Sequence, residues 1–457
     1  MSEKNRWYVI IFSVALAARL LFFGLYLAND PVNGLITGDA QQYINFGHSL
    51  ATGEGYIDKE DGNGRPIAYR PPGYPAYLAF FELLGLPLWF AVFIQIIFAS
   101  LIPVSILLFA ERFPELPQWV GRGAALFAAL DPLQIFYSVT VVADVFMAFL
   151  IISGLFSFLR WWETKQTKWI VASGALMAAS LYFRPVGIYL LLFLSLVTVG
   201  WHVWKKLLTR TIALQLLFGL IALSIVIIPW QIRNYKTFGD FSFTSLGLVN
   251  FYVYGAPSVI SIQTGRNFDD IKTELTDRVK KEAPDPLYVE SLQNKSYVTK
   301  QSLNIIKMYP VAYIKAYLLG VNTLLFSGNY HFFLQRHGWL TPPEEVFSLS
   351  LIIGQHGPIE AVKRVLLSIT NPYILIAIGG KLLWLTMTIS ALWAAWRFRA
   401  KPLSIIFITT VVYFILTILP MGLGVEARYR YSLNPLIALF AFSTFYYIGT
   451  WIKERRK

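Results

Sequence analysis

The chain has 457 residues, of which 56% are hydrophobic and 14% charged, and its formal charge is +13. Mean hydropathy is +0.54, and the apolar residues form long uninterrupted blocks that a soluble core cannot accommodate. Cysteine is absent, which excludes disulfides, thiolate metal sites and thiol nucleophiles. The composition therefore indicates an all-α polytopic membrane protein.

A helix needs about 20 apolar residues to cross the hydrocarbon layer. Spans are predicted near residues 7–28, 86–110, 120–138, 141–160, 168–183, 186–204, 211–230, 371–396, 402–420 and 432–452. A further apolar run, 309–327, is either interfacial or re-entrant, or it pairs with a second crossing near 346–367. The sequence therefore predicts ten to twelve transmembrane helices.

Basic residues on the short connections set the orientation, because cytoplasmic loops are enriched in lysine and arginine. They are Lys4, Arg6, Arg112, Arg122, Arg160, Lys165, Lys168, Lys205, Lys206, Arg210, Arg397, Arg399, Lys401 and the tail 453–457. This pattern predicts a plasma-membrane protein with both termini in the cytoplasm. The positive charge then reflects topology and contact with anionic membrane lipids, and no basic tract with interleaved aromatics indicates nucleic acid.

The chain divides into three predicted regions. Residues 1–230 form a transmembrane module of seven spans that includes a first outer loop, 29–85, with an amphipathic juxtamembrane stretch. Residues 231–370 lie on the outer face, with helical periodicity around 271–279 and 287–306, and 328–363 resembles a second covering loop. Residues 371–457 carry the last spans. Such outer loops are expected to cover a site and to determine its specificity.

The orientation brings several charged residues to the outer face. They are Asp39, Arg70, Asp144, Arg184, Arg233, Glu426, Arg428 and Arg430. Ionisable groups at membrane depth are costly, so such a set is a site hypothesis. The alternatives are that Asp39 and Asp144 cap helices, that Arg70 is a solvated loop charge, and that the other arginines are interfacial anchors. Arg19, inside the first span, is expected to form a structural ion pair.

The residue types favour chemistry on a lipid-linked phosphate. A carboxylate can take a proton from an acceptor hydroxyl, while guanidinium groups neutralise a departing phosphate. Arginine suits that second role because its planar fork binds phosphate through two hydrogen bonds. No Gly-rich loop ending in Gly-Lys-Ser or Gly-Lys-Thr is present, so the sequence does not support ATP as the energy source.

Short phrases in a fixed order carry a family resemblance. They are Gly38-Asp39 with Tyr43, residues 50–56, residues 69–75, Asp131-Pro132 through Ser138 to Asp144, Arg184-Pro185, residues 229–235 and residues 426–431. Their order resembles that of GT-C membrane glycosyltransferases, in particular the group of dolichyl-phosphate-mannose protein mannosyltransferases and the lipid A aminoarabinose transferase. The resemblance implies a GT-C fold and inverting transfer of a sugar from a polyprenyl- or dolichyl-phosphate donor to a lipid, glycan or protein acceptor on the outer face.

The resemblance also implies roles for individual residues. Asp39 matches the general base, and Asp144 matches a second acid that orients the acceptor or, in some relatives, helps to hold a divalent cation. Arg70 stands where the lipid A enzyme has a lysine near the donor phosphate. The further phosphate ligands expected are Arg184, Arg233, Arg428 and Arg430, and the expected substrate contacts are Tyr43, Tyr69, Tyr74 and Glu426.

A departure from the family bears on the cofactor. Several relatives have two adjacent acids at the first position, but here Asp39 is followed by Ala40. No metal ligand is therefore assigned, although a divalent cation remains possible as a cofactor. Two rival functions also remain: a transporter or flippase of lipid-linked sugars, and a polysaccharide polymerase or ligase. No clear internal repeat, which transporters often have, is visible in the sequence.

Overall fold

The computed structural model describes residues 2–30, 33–59, 64–287, 289–341 and 348–455. The described part of residues 1–238 contains α1 (Glu3–Asn29), α2 (Ala40–Ala51), α3 (Gly73–Leu83), α4 (Leu88–Ala110), α5 (Gln118–Leu130), α6 (Pro132–Ser138), α7 (Asp144–Thr164), α8 (Thr167–Leu181), α9 (Leu190–Trp204) and α10 (Arg210–Phe238). A small antiparallel ladder pairs β1 (Ile57–Asp58) with β2 (Arg65–Pro66).

The rest of the described chain is also helical. It contains α11 (Leu246–Asn250), the π-helical turn Phe251–Gly255, α12 (Ala256–Thr264), α13 (Phe268–Glu282), α14 (Lys295–Met308), α15 (Pro310–Phe326), α16 (Tyr330–Arg336), α17 (Leu349–His356), α18 (Pro358–Leu367), α19 (Pro372–Arg397), α20 (Pro402–Thr417) and α21 (Asn434–Arg455). Short 3-10 turns occur at Pro185–Gly187, Leu292–Asn294, Gly422–Gly424 and Ala427–Arg430. The predicted all-α polytopic architecture is confirmed.

Each predicted span coincides with one helix or with a pair of consecutive helices. Within the described residues, seven helices are long and apolar enough to cross a membrane, or eight if the bent pair α15 and α16 counts as one span. The predicted spans at 120–138, 168–183 and 402–420 correspond to α5 with α6, to α8 and to α20, which are shorter helices. The ambiguous run at 309–327 forms α15, which meets α16 at an angle of 67°.

The helices predicted within residues 231–370 are present. The periodicity at 271–279 and 287–306 corresponds to α13 and α14. Ile271, Leu275, Val279 and Val298 form a small apolar core with Tyr252. The predicted second covering loop contains α16, α17 and part of α18, while its Pro342-Pro343 lies outside the described residues.

Arg19 does not form the predicted ion pair with any described residue. It is fully buried, and its Nη1 donates to the carbonyls of Ala15 and Ala129, each at 3.0 Å. These bonds join α1 to the end of α5. A backbone carbonyl near the end of a helix lacks an intrahelical partner, so Nη1 of Arg19 satisfies the end of α5, while Nε and Nη2 have no hydrogen-bond partner among the described residues.

Candidate functional site

The connections at one end of the membrane helices bring together charged residues that lie far apart in sequence. Asp39 follows Gly38, whose positive φ of 48° favours glycine. Asp39 occupies the N-cap position of α2, but its side chain makes no capping hydrogen bond. Its Oδ1 instead accepts a hydrogen bond from Nη2 of Arg70 at 2.8 Å. Capping therefore does not explain this carboxylate.

Arg184 bridges the two predicted catalytic acids. Its Nη2 lies 3.4 Å from Oδ2 of Asp39 and 2.9 Å from Oδ2 of Asp144. Asp144 is fully buried at the start of α7, and neither of its oxygens accepts a hydrogen bond from the described residues, so its contact with Arg184 is ionic without hydrogen-bond geometry. The Asp39 side chain is 20% exposed. Of the two acids, only Asp39 is accessible from solvent.

Arg428 completes the cluster from the C-terminal part of the chain. Its Nη1 lies 3.5 Å from Oδ2 of Asp39. Its Nε and Nη2 contact the two carboxylate oxygens of Glu426 at 2.9 and 3.1 Å. Three guanidinium groups therefore surround Asp39, and Glu426 covers one of them from the solvent side, with 45% of its own side chain exposed.

The electrostatics of the cluster favour charged forms. Burial raises the pKa of Asp39, but the charges of Arg70, Arg184 and Arg428 and the hydrogen bond from Arg70 outweigh burial, so the pKa falls to about 2. Burial also lowers the pKa of Arg184, but nearby Asp144 and Asp39 raise it above its usual value. Asp39 and Arg184 are therefore ionised at neutral pH.

The Arg70 corner is held rigid by the residues around it. Pro71 and Pro72 disfavour helix for the residues before them, so α3 begins only at Gly73. Nε of Arg70 donates to Oε1 of Gln42 at 3.0 Å. The guanidinium lies 4.6 Å from the ring centre of Tyr69 and 5.6 Å from that of Tyr43, distances at which a cation is attracted to an aromatic face.

Two arginines of the predicted phosphate set do not contact Asp39. Nη1 of Arg233 donates to the carbonyl of Ile67 at 2.7 Å, and Nη2 donates to that of Tyr56 at 3.2 Å. Arg430 is fully buried, and its guanidinium donates to two carbonyls and to Asn434. Arg233 and Arg430 thus bond mainly to the protein backbone in this structure, and direct binding of phosphate by either of them stays a prediction.

Tyr74 is also not placed to contact a substrate. Its side chain is fully buried, and its hydroxyl donates to Oε1 of Gln95 at 2.7 Å. Gln95 lies in α4 and donates in turn to the carbonyls of Ser138 and Thr140. Tyr74 therefore packs α3 against α4 and the loop that precedes α7, and a substrate contact of Tyr74 stays a prediction.

Sequence reasoning missed three residues that shape the site. Gln42 holds Arg70, as described above. The ring of Tyr429 lies between Arg184 and Arg428, with its centre 5.9 and 5.8 Å from their guanidinium carbons. Arg336, in α16, donates to the carbonyls of Asn33, Gly34 and Ile36 in the loop that leads to Asp39. The i, i+3 spacing of Gln42 from Asp39 was the only signal in the sequence for any of them.

The carboxylates do not fit a divalent cation. A metal shared by Asp39 and Asp144 would need the space between them, but Nη2 of Arg184 contacts both and occupies that space. Among the described residues, no group of three or more histidine, aspartate or glutamate side chains could hold a metal ion. Asp39 and Asp144 therefore do not form a shared metal site in this structure.

Comparison with known families supports the sequence resemblance. A family model described as dolichyl-phosphate-mannose-protein mannosyltransferase matches residues 69–230. This segment runs from the Arg70 corner through Asp144 and Arg184 to the C-terminal part of α10. A comparison with the sequences of curated proteins gives no significant match.

Solved structures with a similar fold are membrane glycosyltransferases. The chain aligns with the oligosaccharyltransferase of Archaeoglobus fulgidus tethered to an acceptor peptide with a TM-score of 0.53 and 12% identity, over 99% of this chain and 50% of that one. The same organism's AglB with an inhibitory peptide and dolichol-phosphate gives 0.52 and 11%, over 100% and 52%. ArnT from Cupriavidus metallidurans bound to undecaprenyl phosphate gives 0.42 and 16%, over 97% and 78%.

These comparisons define the fold. The chain spans about half the length of the archaeal oligosaccharyltransferases that it matches. At these identities the likeness concerns architecture, since one fold hosts many functions. The protein is thus a multi-span membrane protein with the GT-C fold.

Proposed function

We propose that the protein is a glycosyltransferase that moves a sugar from a polyprenyl-phosphate donor to an acceptor hydroxyl on the outer face of the membrane. The observation that carries the proposal is the contact of one accessible carboxylate, Asp39, with Arg70, Arg184 and Arg428. These three arginines come from three separate parts of the chain. An acid in an arginine cluster provides both a base and a site for a phosphate.

The proposed reaction is a single inverting displacement. The acceptor oxygen attacks the anomeric carbon while the bond from that carbon to the phosphate oxygen breaks, and the acceptor proton passes to Asp39. The leaving polyprenyl phosphate gains one negative charge as it separates from the sugar. Arg70, Arg184 and Arg428 are placed to stabilise that developing charge, which is a large contribution where donors are preorganised in a site shielded from water.

Binding of the donor phosphate would also activate the base. In the free protein the three guanidinium groups keep the pKa of Asp39 at about 2, where a carboxylate is a weak base. A phosphate that binds the same arginines competes with Asp39 for them and neutralises their charge. The pKa of Asp39 then rises towards a value at which proton transfer from a hydroxyl is easier.

The two carboxylates have different proposed roles. Asp144 is fully buried behind Arg184, so it holds the arginine and does not meet an acceptor in this arrangement. Asp39 is partly exposed and is the base. The match of the family model to residues 69–230 and the likeness to an archaeal oligosaccharyltransferase solved with dolichol-phosphate support a lipid-phosphate donor.

The test compares Asp39→Asn with the unaltered protein in two assays. The first measures binding of undecaprenyl phosphate to purified protein in nanodiscs. The second measures transfer of radiolabelled mannose, glucose or aminoarabinose from its undecaprenyl-phosphate carrier to a pool of membrane lipids, glycans and proteins. Asp39→Asn should retain binding and lose transfer by about 100- to 10,000-fold, the usual contribution of general-base catalysis.

The outcomes separate the alternatives. Transfer retained by Asp39→Asn would overturn the assignment of the base. If the unaltered protein transfers no sugar but moves the lipid-linked donor across proteoliposome membranes, the transporter function is correct. If the acceptor is itself a lipid-linked glycan that grows by repeated additions, the protein is a polymerase.

A further inference from the structure

Two arginines that do not contact Asp39 donate to backbone carbonyls. Arg233 donates to the carbonyl of Ile67, three residues before Arg70, and Arg430 lies two residues after Arg428 and donates to carbonyls at the end of α15. We propose that Arg233 and Arg430 are positioning residues, each of which fixes the backbone that carries one phosphate-facing arginine. Arg233 acts on Arg70, and Arg430 acts on Arg428. The inference rests on the proposed function in one respect, which is that Arg70 and Arg428 bind the donor phosphate.

Arg430 and Arg428 lie in the same 3-10 turn, Ala427–Arg430. Nη1 of Arg430 donates to the carbonyl of Leu324 at 2.7 Å, and Nη2 donates to that of Ser327 at 2.6 Å. Both acceptors lie at the C-terminal end of α15, where carbonyls lack intrahelical partners. Arg430 therefore anchors the turn to the end of a membrane helix.

Two further contacts restrain the Arg430 side chain. Its Nε donates to Oδ1 of Asn434 at 3.1 Å, and its guanidinium carbon lies 3.9 Å from the ring centre of Trp384 in α19. A 3-10 helix has about three residues per turn, so side chains two residues apart point in different directions. While Arg430 points into the helix bundle, Arg428 is directed to Asp39.

Arg233 makes the corresponding connection on the other side of the cluster. It lies near the end of α10 and donates to the carbonyls of Tyr56 and Ile67, which flank the β1–β2 ladder. The hydroxyl of buried Tyr56 donates to the carbonyl of Arg70 at 2.8 Å. A chain of hydrogen bonds thus runs from α10 through Tyr56 to the backbone of Arg70.

Arginine is required at both positions because of its geometry. Its rigid fork reaches two carbonyls at once, and its planar group also stacks on an indole, Trp230 for Arg233 at 4.8 Å and Trp384 for Arg430 at 3.9 Å. Lysine presents a single point charge and does not reproduce both contacts. Each pair of arginines should therefore act as a unit, and the two pairs should act independently of each other.

Double-mutant cycles test this pairing through the dissociation constant for undecaprenyl phosphate. Arg70→Gln and Arg428→Gln should each weaken binding by about 10- to 100-fold, the range for hydrogen bonds to charged groups. Arg430→Gln should weaken it by a similar factor. The Arg428→Gln, Arg430→Gln double variant should bind no more weakly than its weaker parent, because groups that act as a unit are not additive.

The crossed pairs serve as internal controls. The Arg70→Gln, Arg430→Gln and the Arg428→Gln, Arg233→Gln double variants should show the product of the two single effects. If the affinity lost by the Arg428–Arg430 and Arg70–Arg233 double variants is also the product of the two single losses, the inference is overturned while the proposed function stays intact. If the unaltered protein does not bind undecaprenyl phosphate, the proposed function fails, and a second measurement tests the positioning role.

That measurement uses the absence of native cysteine. Ala427 directly precedes Arg428, Ala68 lies two residues before Arg70, and both are buried. A single Ala427→Cys or Ala68→Cys substitution therefore reports whether the backbone segment around it stays packed. Maleimide labelling at position 427 should rise with Arg430→Gln but not with Arg233→Gln, and labelling at position 68 should show the reverse. Equal changes at both positions, or none, would overturn the proposal.

Milder variants cover the case in which Arg430→Gln does not fold. Asn434→Ala removes only the side-chain acceptor of Nε, and Trp384→Leu removes only the stacked ring. Both should raise labelling at position 427 and leave position 68 unchanged. Arg430→Lys should not rescue phosphate binding fully, because lysine cannot hold both carbonyls and the ring. Full rescue by lysine would show that only charge matters there.

Discussion

The backbone N–H of Gly73 donates to the carbonyl of Tyr182 at an N···O distance of 2.7 Å. Gly73 follows Arg70 by three residues, and Tyr182 precedes Arg184 by two. This one bond therefore sets the separation of two segments that carry phosphate-facing arginines. A Cβ atom on Gly73 would lie 2.6 Å from the Tyr182 oxygen, which is too close for any side chain.

We predict that Gly73→Ala loses most transfer activity although the protein still inserts and purifies as a single species. The added methyl meets backbone atoms that cannot rotate away, so the Arg70 corner must move relative to Arg184. A shift of about 1 Å at a site can reduce a rate about 100-fold. The measurement is kcat/KM for transfer from a polyprenyl-phosphate sugar.

Gly379→Ala in α19 is the matched control, because a Cβ there would meet no atom within 4 Å. It should leave kcat/KM within about twofold and should not lower the melting temperature, since alanine is favoured over glycine inside a helix. A Gly73→Ala protein as active as Gly379→Ala would contradict the importance of this contact.

The buried acid should matter more for stability than the exposed one. Asp144→Asn leaves Arg184 without its closest charge partner in a fully buried position, and breaking such a pair costs about 3–5 kcal/mol. Asp39→Asn leaves a partly exposed site in which solvent can compensate. The melting temperature in detergent at neutral pH should fall further for Asp144→Asn than for Asp39→Asn, and Asp144→Asn should also weaken undecaprenyl phosphate binding. The reverse order of melting temperatures would exchange the two roles.

Glu426 is expected to compete with the donor phosphate for Arg428. It contacts two nitrogens of that guanidinium at 2.9 and 3.1 Å, and it is the most exposed acid of the cluster. Glu426→Gln should strengthen binding of undecaprenyl phosphate by about two- to fivefold, in line with the modest energy of exposed ion pairs. The gain should shrink as salt concentration rises.

Glu274→Gln is the control for this effect, because Glu274 in α13 is also an exposed glutamate paired with arginine, in this case with Arg266 and Arg278. It should not alter phosphate binding. Weaker binding by Glu426→Gln would instead make Glu426 a direct contact of the donor or of the acceptor, as the sequence resemblance implies.

Transfer should not require a divalent cation. Arg184 occupies the space between Asp39 and Asp144 that a shared metal would need, and it provides positive charge there. Dialysis against EDTA should therefore leave kcat within about twofold, and added Mg²⁺ or Mn²⁺ should not raise it. A loss greater than tenfold that either ion restores would show that Arg184 moves aside for a metal.

The sequence indicated the fold because the physical signal was strong. Apolar runs of spanning length correspond to helices, and the periodicity around 271–279 and 287–306 correctly predicted α13 and α14. The run at 309–327 was ambiguous because hydropathy does not report a bend, and the structure turns by 67° between Phe326 and Tyr330. Hydropathy also does not report where a helix ends. The helices α8 and α20 are shorter than the predicted spans because apolar residues continue beyond the helix ends.

The site was only partly predictable. Charge and position suggested that Asp39, Arg70, Asp144, Arg184 and Arg428 share one face, and the structure brings them into contact. Nothing in the sequence separates Arg428 from Arg430, which are two residues apart in one turn. Which of them meets a carboxylate and which meets carbonyls depends on where the end of α15 and Trp384 of α19 lie. The burial of Tyr74 was not predictable for a similar reason, because its partner Gln95 is buried in another helix.

The pH dependence of the reaction should reveal the arginine cluster. Asp39 acts as a base only when it is ionised, and its pKa in the free protein is about 2. The pH dependence of kcat/KM reports the pKa values of the free enzyme. Protonation of Asp39 should therefore lower kcat/KM only near pH 2 and should cause no change in kcat/KM between pH 5 and about 7. Removing a nearby positive charge must raise the pKa.

Arg70→Gln removes both a charge and the shortest hydrogen bond to Asp39, so the acid limb should move to higher pH. Arg70→Lys, which keeps the charge, should move it less.

The lowered pKa of Asp39 also determines how the stability of the protein depends on pH. A folded pKa below the unfolded value of about 3.9 contributes stability that is present above that value and is lost as pH falls towards 2. Melting temperatures between pH 3 and 7 should therefore fall more steeply with acid for the unaltered protein than for Asp39→Asn. An acid limb that stays in place in Arg70→Gln would mean that the titrating base is not Asp39.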